Sequence, residues 1–526
     1  MPISPPIEDL EILLAAQNYV AARQWVGEWQ VRGDLTLNNL LRIGASLAIH
    51  GLIAHARTLF EQALPLAPRH VGPLLNLASL MSDVGDHVRA RALCEAIARE
   101  APRNVEARRS VLTVNEYDGS LTDQQRLYAA KAWGDWAIAR AGGILPRPPL
   151  LPLDGRKLRI GYVSADLCQH TVGLFIKDVM AAHDPGRVDV FAYSDTPADD
   201  WVTTAIRGAC TFRDVAQRDD AGLAQVIRQD CIDVLVDLSG HTARSRLLAF
   251  AYRPAPVMVS WLGYFATTGL PYLDAVLLDA AHAPPGTQDQ FVEPLVNLPQ
   301  GRLCYVPVPW MPELPAAAPC LQRGAITFGC FNNTAKFNGD VFYLWAAILH
   351  RVPDARLILK WNTFNDNEYA ERVMAVFARH GIAPERIELR GHSPHPEMLR
   401  QYGEIDIALD PFPFSGGMTS CEALWMGVPV VTWPQSRVVS RQTFAFLSQI
   451  GLPQLAAKDA QDYVRIAVDL ANDLPGLQNL QRHLRGRMRQ SSLCDVIGFT
   501  QTLEKNLIDL YEKIATNPLT KAGTTT

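Results

Sequence analysis

The sequence predicts an all-α repeat region followed by two doubly wound α/β halves that face a cleft. Three observations predict this class: a self-similarity near the N-terminus, short apolar strands alternating with helical stretches after residue 156, and a restart of that alternation after residue 326. Near-continuous apolar strands with intervening helices indicate a parallel sheet covered on both faces. A chain of 526 residues is long enough for two or three such domains.

The first predicted domain, residues 1–143, is a short helical solenoid closed by a linking helix over 121–143. A pattern recurs after 34 residues (85 − 51 = 34), and a fainter copy precedes it. Small residues at helix contacts, an apolar anchor and a closing proline resemble the tetratricopeptide repeat. We expect the repeats to hold a protein substrate; capping the next domain or pairing two copies as a homodimer is the alternative. The matched positions are Gly51, Ala56, Leu59, Ala67, Pro68 and Arg69, then Gly85, Ala90, Leu93, Ala101, Pro102 and Arg103, with Ala22 and Trp25 in the faint copy.

The second predicted domain, residues 156–305, is the first α/β half, and a proline-rich boundary over 144–155 precedes it. Five strands and three helices are expected there. The strands are Leu158–Ser164, Val188–Tyr193, Asp233–Leu238, Val257–Trp261 and Ala275–Leu278, and the helices are Val172–Ala182, Asp220–Gln229 and Ala243–Tyr252.

The third predicted domain, residues 326–514, is the second α/β half, and an irregular proline-containing stretch over 306–325 precedes it. Helices are expected to close this half, and a polar tail over 515–526 is expected to be disordered. The expected strands are Ile326–Phe331, Arg356–Trp361, Arg386–Arg390, Ile405–Leu409 and Val428–Trp433.

A glycine-rich loop between the last two of these strands predicts a phosphate site. Gly416 and Gly417 permit a tight turn, and Thr419–Met426 predicts a short helix directly after it. Free N–H groups and the positive end of the helix dipole suit a phosphate or diphosphate at such a place. Glu422 lies about one helical turn further along, within reach of a sugar hydroxyl of a bound nucleotide. The alternative is a plain strand-turn-helix corner with a solvated Glu422.

Polar side chains also follow other strands at their carboxyl ends, where sheets of this kind bind ligands. His170 follows the first strand, Asp237 and His241 follow the third, and Lys336 follows the first strand of the second half. A neutral histidine can act as a general base or orient an acceptor hydroxyl. A lysine near the glycine loop can neutralise a diphosphate leaving group. Each histidine alone could be an ordinary loop residue, but their recurrence at strand ends favours one site.

Composition excludes several other classes of protein. A net charge of −5 and a pI near 6.2, with dispersed Lys and Arg, give no reason to expect nucleic-acid binding. Nine cysteines without a C-x-x-C pair argue against a zinc site or a disulfide framework and for a reducing compartment. No membrane-spanning run or N-terminal signal is visible. We therefore expect a cytoplasmic protein that binds no membrane and no nucleic acid.

From residue 156 to residue 514 the motifs resemble the catalytic region of protein O-GlcNAc transferases and SPINDLY-like bacterial proteins. The preceding tetratricopeptide repeats match the usual arrangement of that family. The resemblance rests on Leu158-Arg-Ile-Gly-Tyr-Val-Ser-Ala-Asp166 with His170, Asp237-Leu-Ser-Gly-His-Thr242, Arg253-Pro-Ala-Pro256, Trp261-Leu-Gly-Tyr264, Thr267-Thr-Gly269, Phe331-Asn-Asn-Thr-Ala-Lys336, Asp410-Pro-Phe-Pro-Phe-Ser-Gly-Gly417 and Glu422-Ala-Leu-Trp-Met-Gly-Val-Pro429.

The resemblance implies a GT-B glycosyltransferase that inverts the anomeric carbon and needs neither a metal nor another cofactor. It implies transfer of GlcNAc from UDP-GlcNAc to Ser or Thr hydroxyls of proteins, with Lys336 steadying the diphosphate and Glu422 holding the ribose. The group that removes the acceptor proton stays open. The implied catalytic set is His170, Asp237, His241 and Lys336, and the implied donor-binding set is Asn333, Lys336, His395, Ser415, Gly416, Gly417, Met418, Thr419 and Glu422.

The chain departs from the animal enzymes at positions that bear on the donor. Gly417-Met418-Thr419 stands where those enzymes have His-Thr-Thr, and His395 and Met398 align with the Lys and His beside the uracil. Only the stretch over 306–325 replaces the large insertion between their two halves. GDP-fucose and UDP-glucose therefore stay open as donors, and a glycan or small molecule as acceptor. An inactive repeat-containing scaffold is the second alternative.

Overall fold

The computed structural model describes residues 5–32, 35–67, 70–196, 198–315 and 317–516. The chain folds as two compact units, each assembled from separate stretches. The repeats belong to the same unit as most of the second α/β half, and the linking helix belongs with the first half. The three domain boundaries predicted from the sequence stay predictions. Unit 1 comprises Met1–Ser120, Pro309–Pro434 and Gln454–Arg485, and unit 2 comprises Leu121–Val308, Gln435–Pro453 and Gly486–Thr526.

The repeat region of unit 1 consists of antiparallel helices with the predicted period. The second, fourth and sixth helices begin 34 residues apart, and so do the third, fifth and seventh (53 − 19 = 87 − 53 = 34; 71 − 37 = 105 − 71 = 34). The helices are α1 (Ile7–Ala15), α2 (Tyr19–Arg32), α3 (Leu37–Ile49), α4 (Ile53–Ala63), α5 (Val71–Asp83), α6 (His87–Glu100) and α7 (Val105–Tyr117). Pro68 and Arg69 of the predicted pattern lie outside the described residues.

Equivalent positions of the repeats share their backbone conformation or their burial. The turn before each even-numbered helix is left-handed, with φ of 57° at Gln17 and 79° at both Gly51 and Gly85. Residues other than glycine rarely adopt this conformation, so glycine recurs at two of the three turns. Gln17 stands in its place in the first copy, which is therefore fainter in sequence although its turn is the same. The recurrent alanines are fully buried where paired helices touch, namely Ala22, Ala56 and Ala90. The tetratricopeptide-type solenoid is therefore confirmed, with α7 as an additional helix.

Unit 2 begins with the linking helix α8 (Asp123–Arg140). Thr122 and Gln125 form a capping box at its N-terminus. A seven-stranded parallel sheet follows in the order β3-β2-β1-β4-β5-β6-β7. Its strands are β1 (Leu158–Ser164), β2 (Val188–Ser194), β3 (Thr211–Asp214), β4 (Val234–Asp237), β5 (Val257–Ser260), β6 (Ala275–Leu278) and β7 (Leu295–Asn297), and its helices are α9 (Thr171–Ala182), α10 (Trp201–Ala209) and α11 (Asp220–Gln229).

Two details of this half differ from the expectation. The strands β3 and β7 and the helix α10 were not predicted, because both strands are short edge strands without a buried apolar run. The predicted α-helix over 243–252 is a short 3₁₀ helix, Leu247–Tyr252. Arg253 follows it with a left-handed φ of 49°, and Pro254 cannot continue a helix.

The second half in unit 1 contains a five-stranded parallel sheet in the order β10-β9-β8-β11-β12. The elements are α12 (Pro319–Arg323), β8 (Thr327–Cys330), α13 (Gly339–Arg351), β9 (Arg356–Lys360), α14 (Asn367–Arg379), β10 (Ile387–Arg390), α15 (His395–Gln401), β11 (Ile407–Leu409), α16 (Met418–Trp425), β12 (Val430–Val431), α17 (Gln442–Gln449), α18 (Ala460–Asn472), α19 (Leu474–Arg489) and α20 (Val496–Thr516). Of these, α17, α20 and residues 486–489 of α19 belong to unit 2. Residues 515 and 516 of the expected disordered tail continue α20, and residues 517–526 lie outside the described residues.

Each sheet reverses its strand order beside its first strand, between β1 and β4 in unit 2 and between β8 and β11 in unit 1. Ligands bind outside the carboxyl ends of the strands at such a switch point. The predicted fold class, a helical-repeat region with two doubly wound parallel sheets, is confirmed; a cleft shared by the halves stays a prediction. Among the described residues no helix is long and apolar enough to cross a membrane.

Candidate active site

The loop from β11 to α16 is fixed by the buried carboxylate of Asp410, which is 1% exposed. One carboxylate oxygen accepts the backbone N–H of Gly416 at 2.6 Å, and the other accepts the hydroxyl of Thr432 at 2.7 Å. A Cβ on Gly416 would lie 2.2 Å from Oγ of Ser420 and 2.9 Å from Asp410. Only glycine therefore fits this place without moving the carboxylate that holds the loop.

Helix α16 begins directly after this loop, one residue earlier than predicted. Gly417 precedes it, and the carbonyl of Gly417 accepts the N–H groups of Ser420 and Cys421 at 3.1 and 3.2 Å. The N–H groups of Met418 and Thr419 belong to the first turn, where an α-helix offers its amides no intrahelical acceptor. The N-terminal end of α16 is thus a suitable place for an anion.

Lys336 lies at this helix end, on a 3₁₀ turn that follows β8. Its Nζ donates to Oδ1 of Asn332 at 3.1 Å and to the carbonyl oxygen of Ser415 at 2.9 Å, and it lies 4.9 Å from the ring centre of Phe414. Burial lowers the pKa of Lys336 to about 8, although the charge of Asp410 opposes this shift. The structure therefore brings a weakly solvated ammonium group to the glycine loop.

Asn332 joins the two sides of this site, and the sequence reasoning missed it. Its Oδ1 accepts from Lys336 and also from the hydroxyl of Thr419 at 3.0 Å. The predicted residue Asn333 instead accepts the N–H of Ala335 at 2.9 Å and so caps the 3₁₀ turn. Both asparagines stand in one motif, and the sequence does not reveal which of them points toward the loop. The donor-binding role of Asn333 stays a prediction.

Buried Glu422 pairs with partly exposed His395 beside the loop, a contact that the sequence could not show. His395 Nε2 lies 2.7 Å from Oε1 of Glu422, and Nε1 of Trp310 donates to His395 Nδ1 at 3.2 Å. Because an indole N–H can only donate, Nδ1 is the acceptor, and Nε2 carries the proton that it donates to Glu422. Burial raises the pKa of Glu422, and the hydrogen bond from His395 opposes that rise. Trp310 lies in the irregular stretch and carried no sequence signal.

In unit 2, Asp237 ends β4 and binds the turn that follows. Its carboxylate accepts the N–H groups of Ser239 and Gly240 at 2.9 to 3.1 Å and the hydroxyl of Ser260 at 2.9 Å. Burial raises the pKa of Asp237 to about 6, although these hydrogen bonds oppose the rise. This geometry favours a role in shaping the turn, and the predicted catalytic role stays a prediction.

His241 lies at the end of that turn and is 1% exposed. Its Nε2 donates to the carbonyl oxygen of Thr268 at 2.8 Å, so this nitrogen carries a proton. Trp133 and Tyr264 meet the ring edge to face, with centroids 4.5 and 5.2 Å away. The imidazole is therefore rigidly held.

His170 precedes α9 and has a different environment, because its side chain is 50% exposed. Its Nδ1 accepts the N–H of Val172 at 3.3 Å, so the neutral ring carries its proton on Nε2. Ser164 and Ser239 hydroxyls, 3.1 Å apart, join the segments that follow β1 and β4. The first-half residues thus gather at the switch point of their own sheet.

Among the described residues no group of three or more His, Cys, Asp or Glu side chains is arranged to hold a metal ion.

Comparison with known families identifies related sequences over most of the two α/β halves. The family model described as glycosyl transferase family 41 matches residues 147–304 and 317–503. A solved O-GlcNAc transferase from Thermobaculum terrenum, a lysine-to-methionine variant, superposes with a TM-score of 0.88. It is 33% identical, and the match covers 97% of this chain and 98% of that one.

Curated relatives match a smaller share of their own length. A probable UDP-N-acetylglucosamine–peptide N-acetylglucosaminyltransferase SPINDLY from Petunia hybrida is 38% identical over 368 residues, which cover 68% of this chain and 39% of the relative. The UDP-N-acetylglucosamine–peptide N-acetylglucosaminyltransferase of Caenorhabditis elegans is 24% identical, over 70% of this chain and 42% of the relative. The chain therefore spans less than half the length of these relatives.

Proposed function

This chain belongs to glycosyl transferase family 41, and from that membership we propose that it transfers a single GlcNAc from UDP-GlcNAc to Ser or Thr hydroxyls of proteins. The names of the relatives support this donor and a peptide acceptor. The observation that carries the proposal is the position of Lys336 between Asn332 and the carbonyl of Ser415 at the start of α16.

The donor diphosphate binds at that position in this proposal. The Lys336 ammonium group supplies positive charge, and the first N–H groups of α16 supply hydrogen-bond donors. The Thr419 hydroxyl joins them when it turns from Asn332 to the ligand. The close approach at Gly416 keeps side-chain atoms away from this surface. The same residues accept the leaving group, because its negative charge grows as the sugar departs.

The nucleoside binds beside the Glu422 and His395 pair. A Glu422 carboxylate that already accepts one hydrogen bond from His395 can accept a second from a ribose hydroxyl. Trp310 fixes the histidine ring through its indole N–H, so both groups are ordered before the nucleotide arrives. Asn333 and Met418 complete the proposed donor-binding set.

The proposed reaction is a single displacement with inversion. The acceptor oxygen forms a bond to the anomeric carbon while the bond from that carbon to the β-phosphate oxygen breaks. UDP leaves with the bonding electron pair, and the hydroxyl proton passes to a base or to solvent. His170 is the half-exposed candidate for contact with the acceptor, whereas Asp237 and His241 position the neighbouring turn. No metal is required in this proposal, because Lys336 supplies the cation.

The acceptor is proposed to be a protein presented by the repeats in the cytoplasm. None of the nine cysteines, all of which are among the described residues, forms a disulfide, which fits a reducing compartment. Self-association through the repeats stays a prediction, which light scattering of the purified protein would check.

Transfer assays test this function. Purified protein is incubated with labelled UDP-GlcNAc and a lysate, and labelled proteins are counted after removal of free sugar, with and without a metal chelator. We expect labelling that the chelator does not change and that Lys336→Met reduces at least about a hundredfold, as loss of a key charge-stabilising group does. Tyr343→Ala, an exposed position on α13, is the control and keeps full activity.

Parallel reactions with GDP-fucose and UDP-glucose examine the alternative donors. Transfer from either one, but not from UDP-GlcNAc, would replace the proposed donor and leave the proposed type of reaction, transfer of a single sugar, unchanged. Absence of transfer from all three, together with no stabilisation by UDP or GDP, would favour an inactive scaffold.

A further inference from the structure

Repeat helices support the turn that carries Lys336. The hydroxyl of Thr334 donates to the carbonyl oxygen of Asp83, at the end of α5, over 2.7 Å. His87, the first residue of α6, lies with Nε2 2.6 Å from the carbonyl oxygen of Ala335. A carbonyl only accepts, so this nitrogen carries the proton, and burial lowers the pKa of His87 and keeps the ring neutral. The turn is therefore held on the side of the repeats.

The approach of the repeats to this turn is close enough to require glycine. A Cβ on Gly85, between α5 and α6, would lie 2.4 Å from the carbonyl oxygen of Phe337. Gly85 also has a φ of 79°, which other residues rarely adopt. The glycine that recurs in the repeat pattern thus serves here as a contact surface for the turn.

A second contact reaches the glycine loop itself. Tyr117, the last residue of α7, stacks on Phe414 with ring centroids 4.4 Å apart and an angle of 21° between the planes. Phe414 directly precedes Ser415, and its ring centre lies 4.9 Å from Nζ of Lys336. His87 stacks on Tyr117 in turn, at 5.2 Å. One line of rings therefore leads from the repeats to the lysine.

We propose that Tyr117 is a positioning residue for the donor diphosphate, acting through Phe414 on the ammonium group of Lys336. The inference rests on the proposed function, because it assigns the donor's diphosphate to Lys336. A lysine side chain has many rotamers, and ordering it during binding weakens the affinity. The stack orders Phe414, and Phe414 holds the cation at a fixed place before the nucleotide arrives.

The charge of Lys336 is what distinguishes this role from ordinary packing. If Tyr117 acts through that charge, its loss weakens ligands with a β-phosphate and spares ligands without one. If Tyr117 only stabilises the fold, its loss weakens every ligand equally. The contrast between UDP and UMP therefore separates the two roles.

Calorimetric affinities of UDP and UMP test the proposal in the full-length protein. We expect Tyr117→Ala to bind UDP about threefold to tenfold more weakly, the size of an aromatic-pair contribution, with UMP changed less than about twofold. Tyr117→Phe keeps the ring and the wild-type UDP affinity. Tyr343→Ala, which removes an exposed tyrosine of the same unit, changes neither ligand.

A double-mutant cycle with Lys336→Met completes the test. If Tyr117 acts through Lys336, Tyr117→Ala combined with Lys336→Met binds UDP no more weakly than Lys336→Met alone. Additive losses, or equal weakening of UDP and UMP by Tyr117→Ala, would overturn the inference and leave the proposed function standing. A wild-type protein that binds neither UDP nor GDP would overturn both. If the wild type binds GDP and not UDP, the affinities of GDP and GMP are compared instead of those of UDP and UMP, with the same expected and contrary outcomes.

Discussion

Lys336 combines two properties that a diphosphate requires of a cation. Its ammonium group is fixed by two acceptors, Asn332 and the carbonyl of Ser415, and one N–H is left for a ligand. Its burial penalises the charged form, so that a bound anion restores more energy than it would at an exposed lysine. As a consequence, the pKa of Lys336 falls to about 8, and its charge titrates near the physiological range.

That titration predicts how UDP affinity depends on pH. The charged form binds the diphosphate, and the free protein loses this form as the pH rises through about 8. We expect the affinity to be constant below this value and to fall by up to about tenfold per pH unit above it, because one proton is then taken up on binding. Titration calorimetry between about pH 7 and pH 9.5 measures the profile.

Lys336→Met is the control for this profile. It retains side-chain volume but has no titrating group, so its affinity is weak and independent of pH across the same window. A wild-type profile that is equally flat would show that Lys336 does not bear on the diphosphate.

At the scale of elements, the loop from β11 to α16 depends on a backbone path that only glycine permits. We predict that Gly416→Ala abolishes measurable UDP binding, because its Cβ would displace Ser420 and the Asp410 carboxylate that holds the loop. The expected loss of folding stability is modest, about 1–3 kcal/mol, as for other overpacked positions. Thermal unfolding and UDP titration measure the two effects separately.

Gly339→Ala is the matched control, since Gly339 is a glycine at the start of a helix in this half and has nothing within 4 Å of the added Cβ. It should bind UDP like the wild type. Wild-type binding by Gly416→Ala would instead mean that the loop can move without consequence for the ligand.

The same elements show which features the sequence alone could predict. The 34-residue period and the long buried strands were predictable, because each depends on local spacing of apolar or small residues. The edge strands β3 and β7 were not, since exposed strands carry no apolar run. Lys336 and Glu422 stand in motifs and could be proposed from the sequence, whereas Trp310 and Tyr117 contact residues distant in the chain. Such contacts exist only after folding.

At the scale of the whole molecule, the repeats and most of the second α/β half lie in one unit. Hydrogen bonds join them at several places besides the Lys336 turn. The Asp366 carboxylate accepts the N–H of Tyr369 at the start of α14 and also that of Ala54 at the start of α4. The amides of Asn362 and Asn365 donate to carbonyl oxygens at the end of α3 and just after it.

This shared structure predicts the outcome of removing the repeats. A chain of residues 121–526 would leave Asp366 and Thr334 without their repeat partners and expose the apolar surfaces that α5 to α7 cover. We expect this truncated protein to lose UDP binding and to unfold at a markedly lower temperature. Removal of residues 1–35 alone should lower the melting temperature but keep UDP binding, because repeat stability is a sum over neighbours and α5 to α7 stay in contact with the loops. If residues 121–526 bind UDP with wild-type affinity, the repeats are a separable domain, and the donor site is complete without them.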